Sequence, residues 1–159
     1  MTTRDEMVAA IREKARVLYE GKQVAHRSCG MAIAETFGRE PRPYHALRKG
    51  GITGAGQCGA IIAGQLVLGE LLSEPGGTAP LSPALKAAVE RFQAEVARRL
   101  PRGPQGSIVC NDLTSPFPDF GGADRKLFCT GLAASVAEIV AEIVVDLGVR
   151  VDLSPARDP

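Results

Sequence analysis

Residues 50–72 read GGITGAGQCGAIIAGQLVLGELL: four glycines within seven residues, then an apolar run without proline. Gly50, Gly51, Gly54 and Gly56 permit backbone angles closed to other residues, so this loop can wrap closely around something. The helix predicted after it spans Gln57 to Leu72, carries Cys58 in its first turn, and ends near Ser73 and Pro75. Within it Gly59, Gly64 and Gly69 remove side chains at a cost of about 1 kcal/mol each relative to alanine. Close approach of other helices would offset that cost, so the stretch points to tightly packed helices.

The flanking segments agree. Arg4 to Glu20 has Met7, Ile11, Ala15 and Leu18 three or four residues apart with charges between them, an amphipathic helix. A second helix is predicted from about Val24 to Phe37, closed by Gly38 and Pro41. Ser82 as N-cap and Pro83 at the first position open a helix over Ser82 to Leu100, with Leu85, Val89, Phe92 and Val96 on one stripe. The last helix runs from about Ala123 to Leu147 with Phe128, Leu132, Val136, Ile139, Val140 and Ile143 inward. The fold class is therefore all-α: one domain over residues 1–159, a bundle of about five helices, with the glycine-rich loop before the third main helix. The tail 152–159, with two prolines and mixed charges, is expected to fray or to serve an interface.

Composition narrows the partners. The formal net charge is +1 and basic residues are scattered among acidic ones, so no stripe follows a phosphate backbone and nucleic acid is not expected. Met1 to Ala9 lacks a basic segment followed by an apolar one, which reads as no signal peptide and a cytoplasmic protein. The apolar run around Ala133 to Val145 is interrupted by Ser135, Glu138 and Glu142, so no membrane insertion is expected. The small-residue helix and the apolar last helix offer surface beyond one domain's needs, and a homodimer is expected.

Four cysteines remain: Cys29, Cys58, Cys110 and Cys129, with 28, 51 and 18 residues between neighbours and no Cys-x-x-Cys pair. Thiols in a reducing compartment are metal ligands or redox groups more often than permanent staples. Cys29 shares a helical face with Ala32, Ile33 and Phe37 and should point inward. Helix starts at Cys29 and Cys58 favour thiolates and can also donate N–H groups to cluster sulfurs. His26 lies three residues before Cys29 and is a secondary candidate as ligand or proton carrier. His45 has weaker support, and the glycine-rich loop matches neither the phosphate-binding nor the dinucleotide fingerprint.

Cys29, the run Cys58, Gly59, Ala60, Ile61, Ile62, Ala63, Gly64, and then Cys110 and Cys129 resemble the C_GCAxxG_C_C family of redox-active proteins. Gln57 stands where the family name suggests glycine, so the match runs through Cys58, Gly59, Ala60 and Gly64. The family is similar in turn to the cysteine-bearing domain of split-Soret cytochromes, and the resemblance implies a redox role without naming a reaction. Three readings follow. The four cysteines bind one iron-sulfur cluster, with two or four irons, and exchange electrons with a redox partner protein. Alternatively they work as a dithiol and disulfide system needing no cofactor, with Cys58 the nucleophile and most acidic thiol. In the third they close a structural four-cysteine zinc site.

Overall fold

Thr3 starts the first helix by a reciprocal pair of hydrogen bonds: its Oγ1 accepts from the Glu6 N–H at 3.2 Å, and its own N–H donates to the Glu6 carboxylate at 2.7 Å. The computed structural model describes residues 1–159 and contains no strand. This first helix, α1, spans Arg4–Glu20 and stops at Gly21, whose φ of 74° is left-handed. Next come α2, Cys29–Thr36, and a 3-10 turn, Arg42–Leu47. A single turn, α3, covers Arg48–Gly51, and α4 covers Gly59–Leu72. Then follow α5, Pro83–Arg99, the short α6, Cys110–Thr114, and α7, Ala123–Asp146. Five helices have eight residues or more, the expected bundle, and α3 and α6 are single turns added to it.

Helix α7 is the axis. Leu132, Val136, Ile139, Val140, Ile143 and Val144 are buried around it, and α1, α2, α4 and α5 all pack on it. On composition and length alone its 24 residues would cross a membrane, although the apolar run looked too short for that. Here they form the centre of the bundle. The carboxylates that interrupt the run, Glu138, Glu142 and Asp146, recur every four residues and so share one face. Arg99 reaches Glu142 at 2.7 Å and Glu138 at 3.3 Å, Arg12 reaches Glu138 at 3.4 Å, and Arg4 reaches Asp146 at 2.6 Å. They tie α5 and α1 to the core helix.

Helix α2 starts later than its periodicity predicts. Residues before Cys29 turn back on the end of α1 instead: the Arg27 N–H donates to the Leu18 carbonyl at 2.9 Å, and the His26 ring bonds the Tyr19 carbonyl through Nδ1. These two bonds occupy carbonyls that α1 leaves unpaired at its C-terminus. The C-terminal tail is tied to the same segment. Buried Arg27 donates to the Asp158 carboxylate at 3.1 Å and to the Arg157 carbonyl at 2.8 Å, and the Ala25 N–H donates to Asp158 at 2.8 Å.

The three glycines of α4 have separate reasons. At Gly64 an added Cβ would lie 2.8 Å from Phe92 Cζ and 2.9 Å from Val136 Cγ1, so α5 and α7 close in there. At Gly59 it would lie 2.2 Å from the Leu47 carbonyl oxygen, and at Gly69 it meets nothing. The small-residue face and α7, from which dimerisation was expected, are thus largely used inside the protomer. Gly64→Ala is expected to destabilise the fold by about 1–2 kcal/mol through overpacking, net of the helix-propensity gain. Gly69→Ala, with the same propensity gain and no clash, is expected to stabilise it by up to about 1 kcal/mol. Urea unfolding of the two variants measures the difference, and equal effects would refute this packing.

Candidate redox site

Three of the four cysteines begin helices. Cys29 is the first residue of α2, Cys110 is the first of α6, and Cys58 is the residue that caps α4 rather than lying in its first turn. Cys129 is one helical turn after Arg125 in the N-terminal part of α7. Two of these starts are joined by backbone. The Cys58 N–H donates to the Ile108 carbonyl at 2.8 Å, and the Cys110 N–H donates to the Gly56 carbonyl at 2.9 Å. Between them Gln57 and Val109 form an isolated antiparallel bridge.

The glycine-rich loop wraps this pairing. A Cβ on Gly54 would fall 2.1 Å from Asn111 Oδ1, and one on Gly50 would fall 2.6 Å from Cys110 Cβ. The chain takes left-handed angles at Lys49, Gly50, Gly51, Ile52 and Gly54, and for β-branched Ile52, at φ 79°, that is a strained conformation. The loop therefore serves close approach to the Cys110 segment.

All four cysteines line one cavity of about 70 Å³, room for several water-sized groups. Its walls include Tyr19, His26, Arg48, Lys49, Phe120 and Arg125. No carboxylate lines it, whereas three cationic side chains do. His26 lies in the wall with Nδ1 committed to the Tyr19 carbonyl, and His45 does not lie in it. The four sulfurs share the cavity without forming a ready-made ligand group: nowhere in the chain do three His, Cys, Asp or Glu side chains gather closely enough to hold one metal ion. A closed zinc site needs all four ligands on one ion, so the zinc reading gains no support from this geometry.

Burial governs the thiols. Cys58 is 6% exposed, and desolvation pushes its pKa up to about 12, although the Ala60 and Ile61 amides favour the thiolate. Burial likewise raises Cys29 against the opposing amides of Gly30 and Lys49, and it raises Cys110. The thiolates would also repel one another: Cys29 and Cys129 each push Cys58 and Cys110 upward. Cys58 is thus not the most acidic thiol that a helix start suggested. Removal from water outweighs the amide donors.

Sequence reasoning missed Tyr19, Lys49, Phe120 and Arg125. Only Arg125 had a legible signal, its spacing of four residues before Cys129. Its Nη1 donates to Tyr19 Oη at 2.8 Å, its Nε donates to the Phe120 carbonyl, and its guanidinium carbon stands 4.1 Å from the Phe120 ring centre. Lys49 Nζ lies 4.8 Å from the centre of the same ring.

No curated protein and no solved structure matches the chain. The family model described as "Putative redox-active protein (C_GCAxxG_C_C)" matches residues 24–143, a span that holds all four cysteines and most of the chain, and the protein belongs to that family.

Proposed function

We propose that the cavity holds one iron-sulfur cluster ligated by Cys29, Cys58, Cys110 and Cys129, and that the protein carries electrons to or from a redox partner protein. The observation that carries this reading is the arrangement of four thiols around one cavity with cationic walls and no carboxylate. Four cysteines that line one cavity, with no three of them close enough to hold a single ion, suit a group whose irons and sulfides stand between its ligands. Thiolate is the donor that iron-sulfur clusters use, and amide N–H groups near ligand sulfurs raise their potential. Here the amides of Ala60 and Ile61 serve Cys58, and those of Gly30 and Lys49 serve Cys29. Lys49, Arg48 and Arg125 face the negative charge that four thiolates bring.

When bound, the cluster supplies a reversible one-electron couple. The chain's own residues bury the Cys58 sulfur, direct N–H dipoles at Cys58 and Cys29, and set three cationic side chains in the wall around the four cysteines. In the dithiol alternative Cys58 would attack as a thiolate, and its burial works directly against that.

Two outcomes are expected. Anaerobically purified or reconstituted protein should contain iron and acid-labile sulfide, and Cys58→Ser should lose both with unchanged helical circular dichroism. Wild type free of iron and sulfide after reconstitution would defeat the cluster reading, and reversible disulfide formation in that protein would establish the dithiol alternative.

The second outcome is a pH dependence of the metal-free chain. Its Cys58 should react with iodoacetamide at neutral pH roughly a thousandfold more slowly than a free cysteine, the thiolate deficit that follows from a rise from 9.0 to about 12. The folded chain keeps a proton that the unfolded chain releases above pH 9.0, so this contribution to stability is complete below that pH and is lost as pH rises toward about 12. Cys58→Ala should reduce the slope of stability against pH in that window by up to about 1.4 kcal/mol per unit, measured by urea unfolding.

A further inference from the structure

Two arginines in the chain are buried, and they differ in one respect. Arg27 is paired with Glu35 at 2.9 Å and Asp158 at 3.1 Å. Arg125, 9% exposed, has no carboxylate partner at all. Its hydrogen bonds go to a tyrosine hydroxyl and a carbonyl, both neutral, and its open side is the cysteine cavity. A buried charge left without an opposite charge costs several kcal/mol. Such a cost points to a negative partner that belongs in the cavity.

The neighbours show which partner remains. Tyr19 is held above its ordinary pKa, first by burial and then by the nearby cysteines, so its hydroxyl stays neutral. With Tyr19 neutral, the sulfur of Cys129, one turn along the same face of α7, is left.

We propose that Arg125 is the countercharge of the site: a positioning residue that acts through Cys129, supporting that sulfur as a metal ligand and raising the reduction potential of the group it ligates. The proposal rests on the cavity's being a thiolate site for a metal or cluster, as proposed above. Tyr19 and Phe120 fix the guanidinium plane, and Lys49 across the Phe120 ring adds a second positive charge. An added electron is favoured by nearby positive charge, so removal of Arg125 should make reduction harder.

Cadmium(II) titration of the metal-free protein, followed by thiolate-to-cadmium charge-transfer absorbance, tests the positioning role without any cluster. Arg125→Gln should bind cadmium 10- to 100-fold more weakly than wild type, the usual consequence of losing a group that supports a metal ligand. Arg125→Lys, which restores the charge but not the fork of donors, should recover part of the affinity. Both variants should keep wild-type circular dichroism. In protein reconstituted with iron and sulfide, Arg125→Gln should retain iron and show a more negative midpoint potential.

Equal cadmium affinity in wild type and folded Arg125→Gln, or no thiolate-cadmium band in wild type, would overturn the inference. An unchanged midpoint potential in iron-loaded Arg125→Gln would overturn the claim on potential. Arg125-dependent cadmium binding in a protein that assembles no cluster would instead overturn the cluster reading and leave the role of Arg125 standing.

Discussion

The backbone pairing of Gly56 and Cys58 with Ile108 and Cys110 is the contact on which the rest of the site depends. Two hydrogen bonds of 2.8 and 2.9 Å place Cys58 and Cys110 side by side across a long separation in sequence. A third, from the Asn111 N–H to the Gly54 carbonyl at 2.9 Å, extends the register into the loop. Such an approach leaves no room for a Cβ at Gly50, Gly54 or Gly56. The same tight path turns the chain left-handed at Lys49 and brings its amide to the Cys29 sulfur and its side chain to Phe120. One short pairing thus sets three cysteine segments and one cationic wall.

Desolvation then sets the chemistry. Amide donors at Cys58 and Cys29 favour the thiolate, and burial outweighs them. A sulfur in that balance remains protonated until positive charge arrives at the centre of the cavity. A bound metal would provide such charge and would deprotonate a coordinating thiol outright. The amides that face Cys58 and Cys29 and the cationic wall are already in place for that event.

Local signals made much of the fold legible. Ser82 and Pro83 delimit α5 because a cap and a fixed φ act within one turn, and Ser82 Oγ does accept the Leu85 N–H at 3.1 Å. The four cysteines and His26 were visible as residue types, and their shared cavity agrees with the inward spacing of Cys29. What escaped was long-range. The start of α2 is decided by carbonyls of α1, which periodicity within α2 cannot report. Gly59, Gly64 and Gly69 look alike in sequence, yet each meets a different neighbour or none. The acidity expected of Cys58 from its helix start was reversed by burial, a property of the whole packed structure.

Helix α7 carries both the core and one wall of the site, and its charges are divided accordingly. Arg125 and Cys129 occupy its N-terminal turns, whereas Glu138, Glu142 and Asp146 lie further along and are paired with arginines of α1 and α5. At about 1.5 Å of rise per residue, Glu138 is roughly 20 Å beyond Arg125 along the helix, and its carboxylate is already paired with Arg12 and Arg99. Asp124, beside Arg125 in sequence, is exposed and outside the cavity wall. None of the helix's carboxylates can therefore neutralise Arg125. That separation leaves Arg48, Lys49 and Arg125 in the cavity wall with no carboxylate among them, and it leaves the cysteine sulfurs as the groups in that wall that can bring negative charge to the buried guanidinium.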